Sequence, residues 1–206
     1  MADQLTFYTH PMSRGRIVRW MLEEVGQPYE TVLLDYASSM KASDYLAINP
    51  MGKVPAIKHG DVVVTECAAI CTYLADAFPD KGLSPLPGSP ERGAFYRWMF
   101  FAAGPVETAA LVKAVNAEVP ADRQAMAGYG THATVADVLE KLVTQNDYVL
   151  GNRFSAVDVY LGSQIGWGTQ FGTIEKRAGF DAYLARIMSR PAALRAREID
   201  DKAMAA

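Results

Sequence analysis

The stretch Asn49-Pro50-Met51-Gly52-Lys53-Val54-Pro55-Ala56-Ile57 decides the fold, because Thr65-Glu66-Cys67-Ala68-Ala69-Ile70 follows it at hairpin distance. Val54-Pro55 leads into a short apolar run, His59-Gly60-Asp61 supplies a turn signal, and Val62-Val63-Val64 returns. That pattern predicts a β-hairpin with a proline at its entrance. Proline has no N–H and a fixed φ, so at a strand start it leaves the preceding residue's backbone to pair with something other than the sheet. X-Pro bonds are mostly trans, but a cis Val54-Pro55 bond would present the N–H and C=O of Val54 to an extended peptide. The second strand is expected to end at Thr65, placing Glu66 and Cys67 before a helix from about Ala68 to Phe78. A carboxylate there pairs with an ammonium while the helix N-terminus receives a carboxylate, which suits the zwitterionic end of a γ-glutamyl peptide. Read alone, Glu66 is only a first-turn acid favoured by the helix dipole.

Working outward, Leu5-Thr6-Phe7-Tyr8, Ile17 to Val25 and Glu30 to Leu34 read as a βαβ beginning. A helical stretch, the hairpin and the helix to Phe78 complete the order βαβαββα, which is thioredoxin-like. Pro79 to Pro90 carries prolines at 79, 85, 87 and 90 and glycines at 82 and 88, a density that forbids regular structure and marks a linker. Everything after it reads helical. A long segment from Glu91 to about Val119 is expected to kink or break at Gly104-Pro105, where proline cannot continue the ladder. Shorter helices are expected from Thr134 to Gln145 and from Ser155. The expected organisation is an α/β thioredoxin-like N-terminal domain over 1–79, a linker over 80–90 and an all-α C-terminal domain over 91–206.

The 206 residues are half apolar, enough for a substantial core in one large or two small domains. A formal charge of −3 with Lys and Arg scattered gives no footprint for nucleic acid. Met1-Ala2-Asp3-Gln4-Leu5 has no basic region followed by an apolar run, and no window approaches the roughly 20 apolar residues of a membrane span, so a cytoplasmic location is expected. Cys67 and Cys71, the two cysteines, lie four apart on one expected helix and form neither a disulfide framework nor a zinc site; no metal is expected.

The order strand, Val-Pro, strand, Glu-Cys, helix resembles the cytosolic glutathione transferase superfamily, whose first domain is thioredoxin-like. The resemblance implies that Val54 pairs its backbone with the cysteinyl part of glutathione and that Glu66 and Cys67 grip the γ-glutamyl group. Cys67 departs from the usual serine, and a thiol is the weaker donor. Gly151-Asn152-Arg153-Phe154-Ser155-Ala156-Val157-Asp158 also resembles a capping motif of that family's second domain. By itself it is a capping box with Asp in place of Glu, with Phe154 placed to staple onto Val159. Removing Asp158 as a cap is expected to cost about 1 kcal/mol or more. The resemblance extends from Leu5 to about Asp200.

Such an enzyme must hold glutathione as a thiolate, and lowering a thiol pKa from about 8.5 to about 6.5 requires roughly 2.7 kcal/mol of preferential stabilisation. A charge-assisted hydrogen bond and a helix N-terminus can supply it. The donor is expected among Tyr8, Thr9, His10 and Ser13. Ser13 ranks first, because Ser13-Arg14-Gly15-Arg16 and Trp20-Met21-Leu22-Glu23-Glu24-Val25-Gly26 resemble bacterial and fungal transferases with Asn-Ser-Arg at this helix start. Its plain reading is an N-cap, and the two roles are compatible. Tyr8 competes, since the tyrosine classes use a tyrosine at the end of the first strand. The first loop has no cysteine, which disfavours mixed-disulfide chemistry.

Arg14, Lys41 and Lys53 are subsidiary binding candidates, the lysines for the glycyl carboxylate; their plain reading is solvated surface charge. A small hydrophobic electrophile is expected between the domains near Tyr96, Phe100, Phe101 and Trp167, with Gly166 and Gly168 offering close backbone approach. Aromatics at helical spacing are more often core. The resemblance implies a homodimer, glutathione as co-substrate with no other cofactor, and conjugation or peroxide reduction; isomerisation or dehalogenation shares the same site. The alternative is a non-catalytic binding or regulatory protein that keeps the fold.

Overall fold

A computed structural model describes residues 4–205; Met1–Asp3, on which part of the leader reading rests, and Ala206 lie outside the described residues. Two compact units form, one running to Lys81 and taking in the chain from Arg190 onward, the other spanning Gly82–Ser189.

In the first unit, β1 (Leu5–Thr9), α1 (Gly15–Val25), β2 (Glu30–Leu33), α2 (Ser43–Leu46), β3 (Ala56–His59), β4 (Val62–Thr65) and α3 (Cys67–Ala77) follow one another. The sheet order is β2-β1-β3-β4, with β1 parallel to β2 and the other pairs antiparallel. Alternation along β1 sorts its side chains: Leu5, Phe7 and Thr9 are buried, and Phe7 lies under the Arg19 guanidinium of α1 at 4.9 Å. Tyr8 lies on the other face, packed on the cluster of Leu34, Met40, Tyr45 and Ala56. Helix α1 buries Ile17, Val18, Trp20, Met21, Leu22 and Val25 and stops at Gly26, whose φ of 67° lets its N–H reach the Leu22 carbonyl at 2.8 Å.

The expected all-α domain over 91–206 needs correction at its end. Helix α9 (Pro191–Ala205) packs against α1 and belongs to the first unit. Charge chemistry explains this: Arg190 grips Glu24 with two 2.7 Å bonds, Arg195 meets Glu23 at 3.1 Å, Arg19 meets Asp200 at 3.2 Å and Arg16 meets Asp201 at 2.8 Å. Arg19 and Asp200 are fully buried, so each charge depends on the other.

The second unit is helical: α4 (Glu91–Phe101), α5 (Glu107–Ala114), α6 (His132–Gln145), α7 (Ala156–Phe171) and α8 (Ala178–Met188). Where a kink or break was expected at Gly104-Pro105, a π-helical turn runs over Ala102–Val106, a wider turn that accommodates Pro105 while the chain stays helical into α5. Helix α7 is buried along most of its length. Its glycines serve packing: a Cβ on Gly168 would meet Ile174 at 2.5 Å, and one on Gly166 would lie 3.5 Å from Leu184. At its start Asp158 accepts from Val149 N–H (2.8 Å), Ser155 N–H (2.9 Å), the Ser155 hydroxyl (3.0 Å) and the Tyr183 hydroxyl (2.9 Å). Phe154 is buried with its ring edge-on to Tyr148.

Candidate functional site

Strand register assembles the site. Tyr8 pairs with Ala56 and Ala56 with Thr65, so the end of β1, the start of β3 and the end of β4 share one edge of the sheet. Beyond that edge lie three segments: the turn 10–14 after β1, Lys53-Val54-Pro55 before β3, and Glu66-Cys67 after β4. Contact across them is direct, since the Cys67 thiol donates to the Arg14 carbonyl at 3.6 Å. Helices α1 and α3 thus bring their N-termini together, and each favours negative charge there by about 0.3–1 kcal/mol.

The Val54-Pro55 bond is cis, and Val54 stands outside the ladder, which begins at Ala56. Two buried side chains that the sequence reading passed over hold this turn. Asn49 donates from Nδ2 to the Lys53 carbonyl at 2.8 Å and accepts the Met51 N–H at 3.1 Å, while the Tyr45 hydroxyl donates to the same Lys53 carbonyl. Burial pushes the Tyr45 phenol up to about 12. Gly52 has φ 57° and passes so close to Met40 that a Cβ would sit 2.8 Å from its carbonyl oxygen. The Asn49-Pro-x-Gly pattern, an Asx turn ending in a left-handed glycine, was the available sequence signal.

Glu66 is exposed and has φ 68° and ψ 124°, a conformation that costs an L-residue about 1–3 kcal/mol. It is the N-cap of α3 and makes no side-chain capping bond. Strain of this kind is maintained by its surroundings and clusters at functional sites. Cys67 opens α3 and is 7% exposed. Its thiol proton is directed to Arg14, so what Cys67 offers toward a ligand is its backbone N–H, which stands in the first turn of α3.

In the first turn every carbonyl has a partner. The Leu34 N–H reaches Thr9 O at 2.9 Å, the Ser13 hydroxyl reaches His10 O at 2.6 Å, Arg16 Nε reaches Pro11 O at 2.6 Å and the Tyr36 hydroxyl reaches Met12 O at 2.9 Å. The N-cap of α1 is Arg14, which makes no side-chain capping bond, and the oxygen of half-buried Ser13, one residue earlier, accepts the Gly15 N–H at 2.9 Å. To donate to a thiolate, its hydroxyl proton must turn away from His10 O. Thr9 is fully buried against Gly15, and His10 accepts the Met12 N–H at Nδ1 (3.1 Å) while its ring lies 4.6 Å from that of Tyr36. Tyr8 sits half-buried with its ring 5.7 Å from that of Tyr45.

The two lysines differ. Lys41 spends its ammonium on the Gly52 carbonyl at 2.7 Å, whereas Lys53 is exposed beside Val54. Of the aromatic candidates, Tyr96 and Phe100 are exposed on α4, Phe101 stands edge-on to Trp98, and Trp167 is half-buried on α7. Among the described residues no helix is long and apolar enough to cross a membrane.

Comparison with known proteins identifies the family. Residues 3–76 match the model of the glutathione S-transferase N-terminal domain and residues 105–191 that of its C-terminal domain. The chain is 28% identical over 204 residues to glutathione S-transferase F10 of Arabidopsis thaliana, covering 91% of this chain and 94% of that protein. The crystal structure of a glutathione transferase from Methylococcus capsulatus superimposes with a TM-score of 0.80 at 28% identity, covering 96% of this chain and 99% of the other. A sphingomonad glutathione S-transferase complexed with glutathione gives 0.75 at 28% identity, with 95% and 98% covered. The two domain matches together span most of the chain and the fold superimposes along almost all of it, and the chain belongs to the glutathione S-transferase family.

Proposed function

We propose that the protein is a transferase that binds glutathione along the edge between Lys53 and Cys67, activates its thiol as a thiolate, and directs it at a small hydrophobic electrophile. One observation carries this reading: Val54 outside the β ladder, the strained carboxylate-bearing Glu66 and the turn containing Ser13 lie at one edge of the sheet, where two helix N-termini meet. A purely structural descendant has no need to maintain strain at Glu66. Glutathione lies extended against Val54, its γ-glutamyl ammonium on Glu66 and its γ-glutamyl carboxylate at the Cys67 N–H. Lys53, with its ammonium uncommitted, takes the glycyl carboxylate, and Lys41 supports it by holding Gly52. Ser13, assisted by the N-terminus of α1, stabilises the thiolate, with Tyr8 as the competing donor and Arg14 as a further cation beside the turn.

In the mechanism, the developing charge on sulfur is met by a donor that already exists, at the cost of the Ser13–His10 bond. The thiolate then attacks the electrophile and displaces its leaving group or adds to its double bond, forming a carbon–sulfur bond. Alkyl and aryl transfer with peroxide reduction as a second use, a homodimeric cytoplasmic protein and a detoxifying role complete the proposal.

Titration calorimetry of glutathione into wild type, Ser13→Ala and Tyr8→Phe, with thiolate absorbance followed across pH, tests it. Binding by wild type with a raised thiol pKa in Ser13→Ala is expected. A shift in Tyr8→Phe alone moves the role to Tyr8, and no binding by wild type leaves the fold to a non-catalytic use.

A further inference from the structure

The peptide unit between Pro11 and Met12 is gripped at both ends. Arg16 Nε donates to its carbonyl at 2.6 Å, and its N–H donates to His10 Nδ1 at 3.1 Å. Peptide units are rigid planes, so holding O and N–H together fixes the plane and blocks its rotation. The plane lies two residues before Ser13, in a turn whose His10 carbonyl orients the Ser13 hydroxyl. Pro11 is buried and has no N–H of its own, so the turn cannot secure this residue through a backbone donor.

Arg16 is itself held from elsewhere. Its Nη2 donates to Asp201 Oδ1 at 2.8 Å on the last turns of α9, with the Met204 sulfur 2.9 Å from the same nitrogen. A guanidinium is one planar fork, so fixing Nη2 also fixes the direction of Nε–H. As an ion pair the contact is ordinary, because Asp201 is 57% exposed and surface pairs contribute little. Its significance lies in the fork's other prong, which reaches a buried carbonyl of the turn.

We propose that Arg16 is a positioning residue for the thiolate site, holding the Pro11–Ser13 turn in place and taking its orientation from Asp201 at the far end of the chain. The proposal rests on the glutathione reading above. It assigns the end of α9 a part in the site, although none of its residues belongs to the expected glutathione contacts. Lysine at position 16 keeps the charge opposite Asp201 but lacks the fork, so it separates charge from geometry.

The test compares Arg16→Leu, Arg16→Lys and Asp201→Asn with Lys202→Ala, a control whose ammonium pairs with Glu198 on α9. Thermal midpoint, glutathione affinity and the pH titration of the bound thiol are measured on each, with hydrogen exchange at the Met12 and Gly15 amides. Arg16→Leu and Arg16→Lys are expected to raise the bound thiol's pKa by about one unit, a tenfold loss of thiolate at fixed pH below it, and to speed exchange at both amides. Arg16→Lys is expected to keep the wild-type midpoint, Asp201→Asn to shift in the same direction by less, and Lys202→Ala to change nothing. A lowered midpoint with unaltered thiol titration and unaltered exchange would overturn the proposal and leave Arg16 a structural residue. If wild type binds no glutathione, the transferase reading fails, and the exchange comparison still decides whether Arg16 holds the turn.

Discussion

Replacing Glu66 by glycine should stabilise the fold while weakening glutathione binding. Residue 66 sits at φ 68° and ψ 124°, which costs an L-residue about 1–3 kcal/mol and glycine almost nothing. Against that relief stands the greater freedom of glycine in the unfolded chain, about 0.5–1 kcal/mol. The balance is about 1 kcal/mol of added stability, or about 2–4 °C in Tm for a chain of this size. Binding moves the other way. Losing a charge-assisted bond to the γ-glutamyl ammonium costs about 1.5–3 kcal/mol, a weakening of Kd by about 10–100-fold. Glu66→Ala separates the two effects, because alanine keeps the strained backbone and loses the carboxylate: its stability should match wild type within about 0.5 kcal/mol while its affinity falls as far as that of Glu66→Gly. Urea unfolding read by tryptophan fluorescence gives the stabilities, and titration calorimetry gives the affinities. A glycine variant no more stable than the alanine variant refutes the strain argument, and an alanine variant that binds like wild type refutes the carboxylate's role.

Ser13→Ala should raise the bound thiol's pKa by about 1–2 units, the share of one charge-assisted bond, and lower stability by about 0.5–1 kcal/mol through loss of the bond from the Gly15 N–H; thiolate absorbance and urea unfolding check the two. Gly15→Ala would place a Cβ 1.9 Å from the Thr9 hydroxyl oxygen, so it should cost about 1–3 kcal/mol and weaken glutathione binding with it, read by the same two assays. Lys53→Ala should lower glutathione affinity more than Lys41→Ala, whose ammonium is already engaged; a larger loss for Lys41→Ala in calorimetry would reverse their assignments. Asp158→Ala leaves four buried donors without an acceptor and should cost about 3 kcal/mol in urea unfolding, well beyond an ordinary cap. Burial pushes the Asp158 carboxyl above its ordinary range despite those four bonds. Its titration therefore contributes stability that is fully present below the unfolded value of about 3.9 and is lost as pH rises through the raised folded value; Asp158→Asn should lack this slope.

Much of the site was legible because it is built from local patterns. Val54-Pro55, the turn at Gly60 and the Glu66-Cys67 step each carry their own backbone signature, and β pairing then brings them to one edge. The direction of Tyr8 became readable only from the sheet, where alternation places it with Tyr45 and Met40. Lys41 and Lys53 look alike in sequence, and only the approach of Gly52 to the first distinguishes them. The Cys67 thiol's bond to Arg14 spans 53 positions, and nothing near either residue announces it. The same applies to α9, whose charged residues meet partners on α1 more than 160 positions away. Gly104-Pro105 was recognised as a disturbance, but whether proline breaks a helix or widens one turn depends on the packing around it.

The return of α9 to the first unit bears on how the chain folds as it is made. Roughly 110 residues separate Lys81 from Arg190, and at about 5–20 residues per second a ribosome takes about 5–20 s to supply them. During that interval the four-stranded sheet and its first helices can assemble, but Arg19 waits without Asp200 and the side of α1 that α9 will cover stays wet. The unit that carries the candidate site, first to emerge, is completed last, so a nascent chain halted before Arg190 carries all of the expected glutathione contacts on an unfinished domain.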